Sequence, residues 1–220
     1  MDLSLFVQHG PALLRGFGMT ILCWVIGAAC AMALGLALEL LRRYGPRWVE
    51  WPLRAYVEFI RGTPFLVQLF VLYYGGPLLG LRLEALPAGL IGLTIYGSPY
   101  FAEIFRSGYD AAPKGQIEAA RAMGFRETTT LARIMTPMML VSALPALVNF
   151  SIILTKETVI LSMITVPEIL FETQTMMSET FAFVEATLVL ALFFWGFVEA
   201  ISRLGRRLER RFTHFLLDRS

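Results

Sequence analysis

GYDAAPKGQIEAARAMGFRETTTLARIMTP, residues 108–137, is a polar island between long apolar segments. Counting Arg106 just before it, it brings together five basic side chains: Arg106, Lys114, Arg121, Arg126 and Arg133. A segment so charged does not cross a bilayer, so it lies at a membrane surface or docks onto something there. Residues 113–124 read as one short helix. Pro113 and Lys114 precede it, residues 116–123 (QIEAARAM) are rich in helix formers, and Gly124 stands where helices commonly stop. At about 100° per residue, Ile117, Ala119, Ala120, Met123 and Gly124 share one arc, and Glu118 and Arg121 share the other. The first arc is mostly alanine and glycine, so another surface can approach its backbone closely. A helix resting on its own membrane domain and a helix offered to a partner both satisfy this pattern.

The rest of the chain explains why the island stands out. Of 220 residues, 56% are hydrophobic, and the mean hydropathy is +0.63. Soluble domains usually stay near 45–50% apolar, so the excess predicts a membrane protein. The two cysteines, Cys23 and Cys30, both lie in an apolar run and offer neither a disulfide framework nor a metal spacing. His9 and His214 lie near opposite ends with no ligand partners at useful spacing. The net charge of +2 carries little information; its distribution carries more.

Five apolar stretches are legible, at about residues 16–41, 55–76, 87–105, 138–160 and 181–201. The first has Glu39 as its only charge and is long enough for a hydrocarbon core of about 30 Å. A cleaved signal is the competing reading, but the run is too long and Arg15 alone makes a poor basic leader. Gly27, Ala31 and Gly35 recur every four residues, a small-residue stripe suited to close helix contact. Residues 42–54 (RRYGPRWVEWPLR) have the arginine and tryptophan content of an interface. Gly62-Thr63-Pro64 interrupts the second stretch, and Gly89, Gly92, Gly97 and Pro99 loosen the third. The fourth carries Pro145, Asn149, Lys156 and Glu157.

Basic residues fix the expected orientation. With the N-terminus outside, the inner segments 42–54, 106–133 and 203–219 hold fifteen of the 19 lysines and arginines, against Arg15 and Arg82 outside. That asymmetry predicts N-terminus out, C-terminus in, and a cytoplasmic island.

Read with its neighbours, the chain resembles the permease subunits of ABC importers, in the polar amino acid branch (histidine, glutamine and arginine type). The resemblance rests on FIRGTPFLVQLFVLYYG (59–75), AEIFRSGYDAAPKGQIEAARAMGF (102–125), ALPALVNFSIILTKETVILSMITVPEIL (143–170) and LERR (208–211). It covers residues 55–178 and the tail; the tract before residue 55 and the fifth stretch are similar only in hydropathy. The resemblance implies an all-α type I importer permease bundle forming one transmembrane domain over residues 1–220, in a bacterial inner membrane. It implies that Glu118, Ala119, Ala120 and Gly124 form the cytoplasmic loop that couples to the ATPase, with Arg121 and Glu118 setting its register. The implied partners are an ABC ATPase subunit, a second permease subunit (the same or homologous), an extracytoplasmic solute-binding protein, a small polar solute and membrane lipids; nucleic acid is not among them. Two features depart from the family pattern: Lys156-Glu157-Thr158-Val159 stands where Lys-Asp-Thr-Ser is expected, and Thr136-Pro137 replaces Leu-Pro.

The chemistry of the chain agrees with a transport role powered from elsewhere. No Gly-x4-Gly-Lys-[Ser/Thr] loop is present, so ATP and Mg belong to the partner, and no cofactor is expected on this chain. Two histidines give nucleophilic catalysis little support. Polar residues inside spans mark functional interiors or paired contacts. Gln68, Asn149 and Glu157, with Glu103, are the candidates for the translocation path. Glu58 and Arg61 are expected to form an interfacial ion pair at i,i+3, and Lys156 to snorkel to the outer interface. A self-contained channel or carrier would call for internal repeats, and none is visible. A scaffold without transport fits poorly with polar residues in four spans. An amino acid is the expected solute; ectoine-like osmolytes and opines are the alternatives.

Overall fold

The computed structural model describes the backbone of residues 3–217 and the side chains of residues 7–211. Arg219 of the basic tail and the side chain of His214 lie outside the described residues. Most of the described chain is helical, and the described residues include no strand. Helix α1 (Leu3–Tyr44) is followed by α2 (Glu50–Gly62), α3 (Phe65–Phe70), α4 (Ala85–Asp110) and the short α5 (Lys114–Ala122). Then come α6 (Glu127–Thr130), α7 (Thr136–Glu157), α8 (Ile169–Thr180) and α9 (Phe183–Leu217).

The centre of the bundle is the contact between α1 and α4, the most extensive in the chain. The stripe of small residues on α1 makes it. A Cβ on Gly35 would stand 2.7 Å from both the Phe101 Cβ and the Ser98 carbonyl oxygen. Across the seam, Gly97 passes so near Ala31 that an added Cβ would lie 2.8 Å from its methyl. Small residues thus let two backbones meet where apolar side chains give no selective advantage over lipid. Around this seam Phe65, Leu69, Leu93, Phe101, Phe105, Met139, Leu147, Phe150 and Leu154 are buried. A second cluster of Leu13, Ile169, Met176 and Ala186 fastens α8 and α9 to the start of α1.

Among the described residues three runs are long and apolar enough to cross a membrane: Val7–Tyr44, Glu127–Ile164 and Phe183–Arg211. The pair Arg47–Gly62 and Phe65–Leu79, bent by 109°, is a fourth if counted as one broken span. Helix α4 has the length, at 26 residues, but it is not among these. Its glycines, Pro99, Glu103 and Arg106 make it less apolar, and protein rather than lipid covers much of it. The fourth stretch begins earlier than its hydropathy indicates. Residues 127–137, the last third of the polar island, are already helical and run through a π-helical turn (Leu131–Met135) into α7. Arg133 and Glu127 hid that continuity, because charge reads as surface whether or not the helix continues beneath it.

The break in the second stretch lies at the tripeptide that marks it. Pro64 has no N–H and forces Thr63 into an extended conformation (φ −119°, ψ 141°), ending α2. The carbonyls freed by the break are satisfied locally. Gln68 Nε2 donates to the carbonyl oxygens of Ile60 (2.8 Å) and Thr63 (3.0 Å) and to Thr63 Oγ1 (2.8 Å).

Candidate functional site

Helix α5 has the limits that its proline and glycine imply. Pro113 precedes its first residue, and Gly124 follows its C-cap in the left-handed region (φ +79°). There the Phe125 N–H donates to the Ala120 carbonyl (3.1 Å) and the Gly124 N–H to the Arg121 carbonyl (3.0 Å). This crossed pair closes the helix end, and glycine enters that conformation without Cβ strain.

The expected apolar arc divides in the folded chain. Ala120 is fully buried and Ile117 packs against the main core, so these two seat α5 on the bundle. Glu118, Ala119 and Gly124 are exposed, as are Met123 (70%) and Phe125 (42%). Arg121, itself exposed, donates through Nε to Glu127 Oε1 (3.0 Å), and this surface pair links α5 to the start of the long helix that ends at Ile164. A cleft of about 360 Å³ separates α5 from the end of α1, between Arg43, Tyr44, Lys114, Glu118 and Glu127.

Directly above α5, six charges join α1 to α4. Glu39, 1% exposed, accepts from Arg42 Nη2 (2.6 Å) and from the Arg43 side chain (3.0 Å). Arg42 then reaches Glu103 (3.4 Å), Glu103 accepts from Arg106 (2.8 Å), and Arg43 reaches Asp110 (2.7 Å). Three carboxylates face three guanidiniums, so the cluster is neutral although most of it is shielded from water. Glu103 is therefore in an ion-paired tie between helices. The local pairs at i,i+3 and i,i+4 were available in the sequence; the links between α1 and α4 were not.

Glu58 and Arg61 do not pair. Glu58 accepts from Arg54, one turn earlier (2.8 Å), and the Arg61 guanidinium instead lies over the Tyr100 ring, 5.4 Å from its centroid. Both spacings put side chains on one helix face, but Arg61 sits at the break, where an aromatic face is nearer. Of the other path candidates, Asn149 is exposed and Glu157 half-buried on α7. Ser142, Ala146, Asn149, Ile153 and Lys156 are all exposed at helical spacing and form one open stripe along α7. Gln68 is occupied by the helix break through its N–H groups, while its Oε1 is buried with no partner among the described residues. Among the described residues no group of His, Cys, Asp and Glu is arranged to hold a metal.

At the opposite end of the bundle, in the connection between the spans, Glu168 is fully buried. It caps α8 by accepting from the Phe171 N–H (2.9 Å) and also accepts from the Thr20 hydroxyl (3.4 Å). Burial pushes its carboxyl up to about 7, against the opposing pull of the Leu170 and Phe171 N–H groups and the Thr20 hydroxyl.

Comparison with known proteins places these features in a wider group. Residues 25–214 match the family described as binding-protein-dependent transport system inner membrane component. A probable amino-acid ABC transporter permease of Bacillus subtilis is 32% identical, the alignment covering 97% of this chain and 94% of the relative. A probable glutamine ABC transporter permease of the same organism is 33% identical, over 96% of this chain and 98% of the relative. Among solved structures, a crystal structure of an amino acid ABC transporter with histidines superposes with a TM-score of 0.88 at 30% identity, covering 96% of this chain and 99% of that one.

Proposed function

Because the chain belongs to the family of binding-protein-dependent transport system inner membrane components, we propose that it carries an amino acid across the bacterial inner membrane. The chain is a multi-pass transport subunit rather than an enzyme. It works in an ABC importer beside ATPase and permease subunits, and ATP is hydrolysed on the separate ATPase. The finer assignments are our reading. Five spans cross with the N-terminus out and the C-terminus in, an extracytoplasmic binding protein delivers the solute, and the ATPase uses Mg with its ATP. Apolar side chains exposed on α9, such as Leu188, Leu192 and Trp195, meet lipid.

The observation that carries the coupling assignment is the way α5 is seated. Ala120 is the buried foot, Arg121 is tied to Glu127, and Glu118, Ala119 and Gly124 stay open at the charged end of the bundle. A short helix anchored on one face and bare on the other suits a groove in a partner. For the solute path, Asn149 and Glu157 lie along α7, Glu103 stands at its inner mouth, and Gln68 supports the broken backbone beside it. The amino acid class rests on the relatives, whose names specify amino acids generally or glutamine.

The test is ATP-driven uptake by the assembled complex carrying Gly124→Val. A β-branched residue at this positive φ costs about 1–2 kcal/mol and turns Phe125 away from its crossed hydrogen bond. The complex is expected to assemble and hydrolyse ATP while uptake falls at least about tenfold, the factor that 1.4 kcal/mol corresponds to. Normal uptake in the assembled variant refutes the coupling assignment.

A further inference from the structure

A cavity of about 410 Å³ opens between α4 and α7 at the α5 end of the bundle. Its lining includes Arg61, Tyr100, Glu103, Ser107, Ser142 and Phe150. The volume is within the range of sites for small molecules. Its charges are not equally available. Glu103 is engaged by Arg42 and Arg106. Arg61, in contrast, has no carboxylate partner among the described residues and is held only over the Tyr100 ring. A guanidinium stacked in this way keeps its N–H fork free for a planar anion.

Two further features point to a ligand. Ser107 and Ser142 are open hydroxyls on facing walls with no hydrogen bond among the described residues. Tyr100 and Phe150 stack at 4.8 Å with an 18° interplanar angle, giving the cavity one apolar wall. Ser142 also begins the open stripe of α7 that continues through Asn149 to Lys156, so the cavity lies at the end of a continuous exposed face.

We propose that this cavity is a transit site for a carboxylate-bearing solute, with the Arg61 guanidinium receiving the carboxylate before release from the inner face. The proposal rests on the importer reading and deepens it, because it makes the carboxylate the group recognised at the exit. A phospholipid headgroup offers the same anionic chemistry, so the test separates the two sources.

The assembled permease–ATPase complex is placed in phosphatidylcholine nanodiscs with Ser142→Cys in a Cys30→Ala background; Cys23 is fully buried. Labelling rates are compared for a sulfonate-bearing and a trimethylammonium-bearing thiol reagent, each normalised to free cysteine. The sulfonate reagent is expected to be favoured at least about fivefold. Adding Arg61→Gln should abolish that preference, and Arg61→Lys should retain most of it. Millimolar L-glutamine should slow labelling, whereas L-glutaminamide, which lacks the α-carboxylate, should not. A preference unaffected by Arg61→Gln, or equal protection by the two compounds, overturns the proposal. If phosphatidylglycerol in the nanodisc removes the preference without any solute, the occupant is a headgroup and the solute site is refuted. Uptake by the parent complex is measured separately. Uptake without the Arg61 effect leaves the importer reading standing alone, and the Arg61 effect without uptake refutes that reading alone.

Discussion

Replacing Glu39 with glutamine removes the buried anion on which the α1–α4 charge cluster is centred. Glu39 is 1% exposed and accepts from two guanidiniums, Arg42 at 2.6 Å and Arg43 at 3.0 Å. Losing one partner of a fully buried pair costs about 3–5 kcal/mol. Here the cost is smaller, for two reasons. The arginines are 33% and 24% exposed, so water shields part of the charge left behind. Each also keeps a second carboxylate, Glu103 at 3.4 Å and Asp110 at 2.7 Å. The expected loss is about 1–3 kcal/mol, which for a chain of this size lowers the melting temperature by about 2–12 °C. Thermal unfolding of purified Glu39→Gln in nanodiscs reads this directly. A cycle with Arg43→Gln adds the decisive comparison: the double variant should be less damaged than the sum of the singles by at least about 0.5 kcal/mol. Additive losses, or a Glu39→Gln chain as stable as the parent, refute the idea that these charges hold the two helices as a unit.

Three further outcomes follow from the packing and the site. Gly35→Ala should destabilise by about 1–3 kcal/mol, because its Cβ meets backbone atoms of α4; Gly18→Ala, with open space around it on the same helix, is the control, and equal melting temperatures for the two variants would sink the close-contact account. Asn149→Leu should reduce uptake several-fold in a complex that still assembles with its ATPase, and unchanged uptake removes Asn149 from the solute path. The raised pKa of Glu168 means that burial favours its protonated form, so its stabilising contribution is complete below about pH 4.5 and is lost as pH rises through about 7. Unfolding of the parent between those limits should therefore show a decline with pH that Glu168→Gln flattens, and parallel pH profiles for the two chains contradict it.

The sequence made some of this legible because some choices are local. Pro113 and Gly124 delimit α5 by backbone geometry alone, and Gly62-Thr63-Pro64 breaks a helix whatever surrounds it. Gly27, Ala31 and Gly35 announce a close contact through their spacing, although only the fold supplies α4 as the other side. What stayed hidden depends on which elements meet. Glu39 has Arg42 and Arg43 at pairing distance in the sequence, but only the fold brings Glu103 and Asp110 within reach of those arginines. Ala120 and Ala119 are neighbours with opposite roles, one buried and one open, and nothing in an alanine states which way it will face. Gln68 read as a path-lining polar group, but its amide N–H groups are turned onto the Ile60 and Thr63 carbonyls of the break.

The run from Glu127 to Ile164 has a mechanical meaning. Thirty-eight residues of continuous helix form a rod of about 57 Å at 1.5 Å per residue. Arg121 ties α5 to its first residue, and its far tip enters the turn that leads to Glu168 and α8. Pivoting such a rod by about 5° at one end sweeps the other through about 5 Å, roughly one helical turn. Within this run the π-helical turn at Leu131–Met135 and Pro145 are the positions where the regular helical hydrogen bonding is interrupted. On the coupling role proposed above, a small swing of α5 is expected to arrive at the Ile164 end as a displacement of that size.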